Sequence, residues 1–202
     1  MNDINILLMV NKILKNALQN NNSILNSLAD NTSFHESFNK ALDLCINSLK
    51  KNGTIYVAGN GGSASQADHF AGELVGRFYI DGDSLKVFSL NSNTAIITCI
   101  ANDFSYDDIF SKQLSGQINE NDIFIGLSTS GNSKNIVKAF DVCSKKGTKS
   151  ILLTGNSENL YFSEDCLTLQ VPSKETPRVQ EVHIILLHCL AEEIEKALRN
   201  KI

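Results

Sequence analysis

From Gly53 onward, short apolar runs alternate with stretches of helical periodicity. Consecutive parallel strands need a crossover, and a helix supplies it, so this alternation points to a parallel sheet with helices on both faces. Strands are expected at 54–58, 85–90, 122–127, 149–154 and 166–171, and helices near 65–76, 93–101, 107–117, 133–147 and 177–199. The run Ile123-Phe124-Ile125-Gly126-Leu127 is apolar throughout, as a strand buried on both faces must be. The front of the chain has no strand. Ile4, Leu7, Leu8, Ile13, Leu14 and Leu18 fall at helical spacing over 4–20, and Asn20-Asn21-Asn22-Ser23 is expected to break that pattern. A second helix is expected over 33–51, with Phe34, Phe38, Ala41, Leu42, Cys45 and Leu49 on one stripe and Gly53 just past its end. The fold class is α/β, preceded by N-terminal helices.

A chain of 202 residues suits one domain with a full core. We treat 1–202 as a single unit, with a helical segment at 1–52 and an α/β core at 53–202. No Pro- and Gly-rich linker divides it; the prolines are Pro172 and Pro177. Net charge is −4 without a basic cluster, which argues against nucleic acid and anionic membrane as partners. No apolar stretch reaches membrane-spanning length. The start, Met1-Asn2-Asp3-Ile4-Asn5, lacks the build of a signal peptide, so a cytoplasmic location is expected. The cysteines, Cys45, Cys99, Cys143, Cys166 and Cys189, form no C-x-x-C pair and are expected to be reduced core residues.

Two loops fall where a strand ends and a helix begins. Ser128-Thr129-Ser130-Gly131-Asn132-Ser133 carries four hydroxyls in six residues. A helix N-terminus offers unpaired N–H groups and a positive dipole end, and hydroxyls add donors without charge. That combination suits the phosphate of a small molecule at the carboxyl edge of the sheet. Upstream, Gly59-Asn60-Gly61-Gly62-Ser63-Ala64-Ser65 follows an expected strand, and its glycines permit positive φ and close backbone approach. It is neither a P-loop nor a dinucleotide fingerprint, since the spacing of each fails.

His69 and Glu73 are four residues apart and share one helix face. That spacing suits a metal pair, an acid–base pair or a plain exposed polar pair. Gln180 and His188 lie in the last expected helix among Ile184, Ile185, Leu186 and Leu187, where a histidine is also well explained as a core side chain. His183 and His35 are read as structural. Zinc takes imidazole nitrogen and carboxylate oxygen. A Glu and a His facing one substrate would equally suit proton abstraction beside a carbonyl. Spacing alone leaves both open.

Taken in order, Gly59-Asn60-Gly61-Gly62-Ser63, His69-Phe70-Ala71-Gly72-Glu73-Leu74, Gly76-Arg77-Phe78, Ala101-Asn102-Asp103-Phe104, the serine loop and Arg178-Val179-Gln180-Glu181-Val182-His183 carry a resemblance. The chain resembles the bacterial phosphoheptose isomerases of the sugar-isomerase (SIS) fold over about residues 50–200. The resemblance implies a three-layer α/β/α sandwich with a five-stranded parallel sheet. It also implies a homotetramer with active sites at subunit interfaces and the 1–52 segment in the oligomer contacts. The implied reaction converts sedoheptulose 7-phosphate to a D-glycero-D-manno-heptose 7-phosphate, feeding lipopolysaccharide or capsule. Implied zinc ligands, for one ion per subunit, are His69, Glu73, Gln180 and His188. Glu73 and His188 are the implied catalytic pair. Implied substrate contacts are Asn60, Gly61, Gly62, Ser63, Arg77, Asn102, Asp103, Ser128, Thr129, Ser130, Ser133 and Gln180. Pro177 stands where some relatives carry Asp, so no role of that acid is carried over. A similar non-catalytic protein that binds the replication initiator DnaA lacks the Glu and His matching Glu73 and His188; both are present here. A sugar-phosphate-sensing regulatory domain is the third reading, disfavoured because residues 1–50 are not basic enough for a DNA-binding segment.

Overall fold

A computed structural model of the chain describes residues 3–158, 163 and 165–199, with residues 3–11 described by their backbone alone. Five parallel strands form one sheet: β1 (Ile55–Gly59), β2 (Val87–Ser89), β3 (Ile123–Ser128), β4 (Lys149–Thr154) and β5 (Cys166–Gln170), in the spatial order β2-β1-β3-β4-β5. Among the described residues seven α-helices accompany them: α1 (Asp3–Ala29), α2 (Thr32–Lys50), α3 (Gly62–Val75), α4 (Thr94–Asp103), α5 (Ser111–Ser115), α6 (Lys134–Lys146) and α7 (Thr176–Arg199). The order of strands reverses between β1 and β3, both of which end at the same edge: Gly59 lies opposite Leu127, so Asn60 and Ser128 leave the sheet side by side. That is the switch point at which open α/β sheets take their ligands.

Alternation along each strand divides the core in two. Ile55 and Val57 of β1, Ile123, Ile125 and Leu127 of β3, and Ile151 and Leu153 of β4 face one side, where Phe70 and Leu74 of α3 and Leu187 and Leu190 of α7 cover them. Tyr56, Ala58, Phe124 and Leu152 face the other, against Leu114 of α5 and Phe140 of α6. Both faces are thus covered, the three-layer α/β/α arrangement that the resemblance implies, and β1 and β3 are buried at every position.

Five expectations shift. The Asn20–Ser23 run does not end the first helix, which continues to Ala29. No Gly or Pro interrupts it, and Ile24, Leu25 and Leu28 pack on the core, which outweighs the modest helix penalty of Asn. The break falls at Asn31, whose side chain accepts the Phe34 N–H at 3.0 Å and caps α2. The helix expected at 107–117 divides into a 3₁₀ turn at Tyr106–Asp108 and the short α5. α3 begins at Gly62, three residues early, and the strand expected at 85–90 is only the edge strand Val87–Ser89. Of the cysteines, Cys45 and Cys143 are buried and Cys166 is half-buried, but Cys99 and Cys189 are exposed, against the expectation of five core residues; all are free thiols. His183 and His35 keep structural roles: His183 is fully buried in α7, and the His35 ring bonds the Leu28 carbonyl at 3.0 Å.

Candidate active site

The first loop owes its shape to Gly61, whose φ is +56°, and to Gly62, where α3 begins. A β-carbon at Gly62 would lie 2.9 Å from the Gln180 amide, so any side chain here would displace the end of Gln180. Ser63 is buried behind it, with Gln180 Nε2 at 3.5 Å from its hydroxyl. Gln66 Nε2 donates to the Gln180 carbonyl at 2.7 Å, which fixes α3 against α7 at this level. Two asparagines that the sequence did not single out hold the loop. Asn91 clamps Gly59, accepting its N–H at 3.1 Å and donating to its carbonyl at 2.9 Å. Asn135 of α6 pairs reciprocally with Asn60, at 2.9 and 2.8 Å, and is buried. The Tyr106 hydroxyl donates to the same Asn60 oxygen at 2.9 Å. Asn135 therefore joins the first loop to the helix that follows the serine loop.

The serine loop is closed on itself. Ser128, buried at the end of β3, lies 2.9 Å from the Ser133 hydroxyl and 3.5 Å from that of Ser130, and its oxygen also accepts the Ser133 N–H at 3.4 Å. Ser130 donates to Asn132 at 2.8 Å. The Thr129 carbonyl accepts the Gly155 N–H, tying the loop to the end of β4. Ser133 stands at the N-cap of α6 but makes no side-chain cap bond there. The hydroxyls are thus gathered over a helix start with their cap role unused, an arrangement suited to an oxyanion.

His69, Glu73 and His188 form a second centre. His69 Nε2 lies 2.8 Å from His188 Nε2 and 3.1 Å from Glu73 Oε1. One donor atom from each residue falls within 4.8 Å of the others, and the cluster is open to solvent on one side, with His69 exposed and the other two half-buried. Phe78 backs it, its ring 5.7 Å from that of His188. α3 and α7 run in parallel here, so Gln180 sits opposite Ser63 while His188 sits opposite His69. Gln180 is therefore set apart from the three other expected ligands, by roughly 12 Å along the helix axis. Two imidazoles and a carboxylate with one open side suit a divalent metal with three protein ligands, and equally a proton-transfer pair. The remaining expected contacts lie at the periphery. Arg77 follows α3 and is exposed; Asn102 and Asp103 end α4, exposed and bonded to each other at 3.0 Å.

The family model for the SIS domain matches residues 12–155. A phosphoheptose isomerase of Aneurinibacillus thermoaerophilus is 45% identical over 80% of this chain and 80% of its own length. That of Helicobacter pylori strain P12 is 40% identical over 84% of this chain and 88% of its own. Among solved structures, the phosphoheptose isomerase of Neisseria gonorrhoeae superposes with a TM-score of 0.83 at 30% identity, covering 92% of this chain and 99% of that one. Sequence and fold agree over nearly the whole length, and the chain belongs to the phosphoheptose isomerase family of SIS-domain proteins.

Proposed function

We propose that this chain is an aldose–ketose isomerase that interconverts sedoheptulose 7-phosphate and a D-glycero-D-manno-heptose 7-phosphate. The observation that carries the reading is the convergence of Glu73 and His188 on one open centre, in a fold that also gathers hydroxyls over a helix start. The reaction moves a proton between C1 and C2 through a cis-enediol. Glu73 is assigned the carbon-bound proton, and His188 the proton that passes between the two oxygens. Ser128, Thr129, Ser130 and Ser133, with Asn60, Gly61, Gly62, Ser63 and Gln180, are assigned to the phosphorylated sugar. Arg77, Asn102 and Asp103 are assigned to its outer contacts. Remote grip on the phosphate holds the reacting carbons in place. The DnaA-binding alternative has no support: Glu73 and His188 are present and assembled, and the relatives carry the isomerase name.

His69, Glu73 and His188 would hold one zinc ion per subunit, with Gln180 the outlying member of the expected set. A bound zinc would polarise the oxygens at C1 and C2 and steady the developing enediolate. A carboxylate that also ligated zinc would be a weaker base, so Glu73 would take the carbon proton best when it is not a ligand. We assign a homotetramer with shared active sites. Ile13, Leu14 and Leu18 of α1 stand exposed, α4 has no buried residue, and Phe104 and Tyr106 beside it are exposed, apolar surface that other copies would cover. The cytoplasm is the assigned location; no helix among the described residues is long and apolar enough to cross a membrane. The test is incubation with sedoheptulose 7-phosphate, followed by NMR for a new aldose phosphate, alongside elemental analysis for zinc. Appearance of the aldose, its loss on chelation and its return with added zinc are the expected results. No turnover with zinc present overturns the assignment, and full activity in verified metal-free protein overturns the zinc. His188→Ala should lower zinc content and turnover together.

A further inference from the structure

Glu195 and Arg199 form a buried ion pair about two and three turns beyond His188 in α7, with side chains 1% and 2% exposed and Arg199 Nη1 2.6 Å from Glu195 Oε1. Burying two charges is expensive, and a well-packed apolar pair often stabilises a fold as well or better. What these two hold explains them better than stability does. The Glu195 carboxylate accepts three consecutive amides, Phe78 N–H at 3.0 Å, Tyr79 N–H at 2.6 Å and Ile80 N–H at 2.8 Å. Burial alone would raise its pKa; those N–H groups and the guanidinium outweigh it and hold the carboxyl below its ordinary value. Arg199 donates to the Leu74 carbonyl at 2.8 Å, to Asp83 at 3.0 and 3.2 Å, and to Ile80 at 3.3 Å. Leu74 follows Glu73 directly, and Phe78 backs His188.

We infer that Glu195 and Arg199 are positioning residues: by tying the end of α3 and the 76–83 segment to α7, they set His69 and Glu73 against His188. The pair touches none of the three, and it shares no bond with the serine loop. Its loss should therefore slow the proton transfers more than it loosens the phosphate. The inference rests on the proposed isomerase activity for its kinetic consequence only.

Two variants test it. Glu195→Gln keeps the size but turns an amide NH2 toward donors. Arg199→Lys keeps the charge but loses the planar fork. A milder third, Gly82→Ala, adds a β-carbon 3.1 Å from Arg199 Cγ and perturbs the clamp without removing either charge, which serves if the first two do not fold. Folding is followed by circular dichroism, kcat and KM by turnover of sedoheptulose 7-phosphate, and cluster geometry by the 15N shifts of the His69 and His188 imidazoles. The folded variants should lose at least tenfold in kcat with KM changed less than threefold, less for Gly82→Ala, and both imidazoles should shift. Imidazole shifts identical to the parent's overturn the inference whatever kcat does, and kcat per folded protein within threefold of the parent overturns its bearing on turnover. A parent that fails to convert the sugar sinks the proposed activity instead, and the imidazole shifts then decide the clamp alone.

Discussion

The serine loop is built from neighbours in the chain, buried at its base and hydrogen-bonded to itself, whereas His69, Glu73 and His188 are brought together from helices 119 residues apart and stand half in solvent. The difference follows from what each must do. A phosphate keeps its charge throughout the reaction, so its site can be a fixed set of donors on a helix start. Proton transfer needs groups whose protonation changes, in reach of one another and open to the substrate. On the proposed reading the loop grips and the cluster reacts, and substitutions in the two should separate along that line.

The largest effect belongs to the cluster. Glu73→Gln keeps the side chain's size and removes its basicity. Turnover should fall by roughly 10²–10⁴, while affinity for the phosphorylated sugar and the melting temperature stay near the parent's. Turnover within about tenfold of the parent would mean that the grip alone carries catalysis, and the contrast would collapse.

α7 contains its own version of the contrast. His188 meets His69 in the open cluster, whereas His183, five residues earlier, is fully buried, and neither of its ring nitrogens makes a hydrogen bond. Burial pushes the His183 pKa down to about 4, outweighing the opposing influence of the nearby Thr154 backbone. The folded state therefore keeps this imidazole neutral at a pH where the unfolded chain, near 6.5, already takes the proton. The stability linked to it is complete above pH 6.5 and is lost as pH falls toward 4, by about 3 kcal/mol for a depression of that size. His183→Leu should remove this component. Measured by urea unfolding at pH 7 and pH 4, the variant should gain about 3 kcal/mol on the parent at the lower pH. Parallel pH profiles would show that His183 is charged or solvated in the fold.

How much of this was legible in the sequence follows the same division. The parallel sheet was, because strands buried on both faces read as unbroken apolar runs flanked by helical periods. The serine loop was, because its ligand groups are consecutive. His69 and Glu73 could be paired by helical spacing, but their meeting with His188 depends on how α3 lies beside α7, which no local pattern encodes. Gln180 shows the limit from the other side: its chain neighbourhood groups it with His188, and the parallel run of the helices sets it against Ser63. Asn91 and Asn135 were missed because a buried asparagine that clamps backbone or another amide looks in sequence like any polar loop or helix residue. Glu195 and Arg199 did leave a signal, an i,i+4 charged pair on the buried stripe of α7, where lone charges are rare.

Ser130→Ala tests the grip. The hydroxyl is exposed and bonds only Asn132 and, at 3.5 Å, Ser128, while the cap of α6 falls at Ser133. Stability should hardly change. Affinity for phosphorylated sugars should fall roughly ten- to a hundredfold, the value of a hydrogen bond to a charged group at about 1.5–3 kcal/mol. A drop of about 1 kcal/mol in stability with affinity intact would return Ser130 to a structural role.

The smallest effect is expected at the joint between the loops. Asn135→Ala removes both halves of the reciprocal pair with Asn60 and leaves that amide with the Tyr106 hydroxyl. Neutral hydrogen bonds contribute about 0.5–1.5 kcal/mol each, and the stranded Asn60 groups can turn to solvent. Since Asn135 touches the first loop and not the serine hydroxyls, inorganic phosphate should bind as in the parent, while kcat/KM for the heptose phosphate should fall by about two- to tenfold as Asn60 loses its fixed orientation. Weaker binding of inorganic phosphate would show instead that the two loops are one site held by a shared asparagine. An unchanged kcat/KM would show that Asn60 needs no such support.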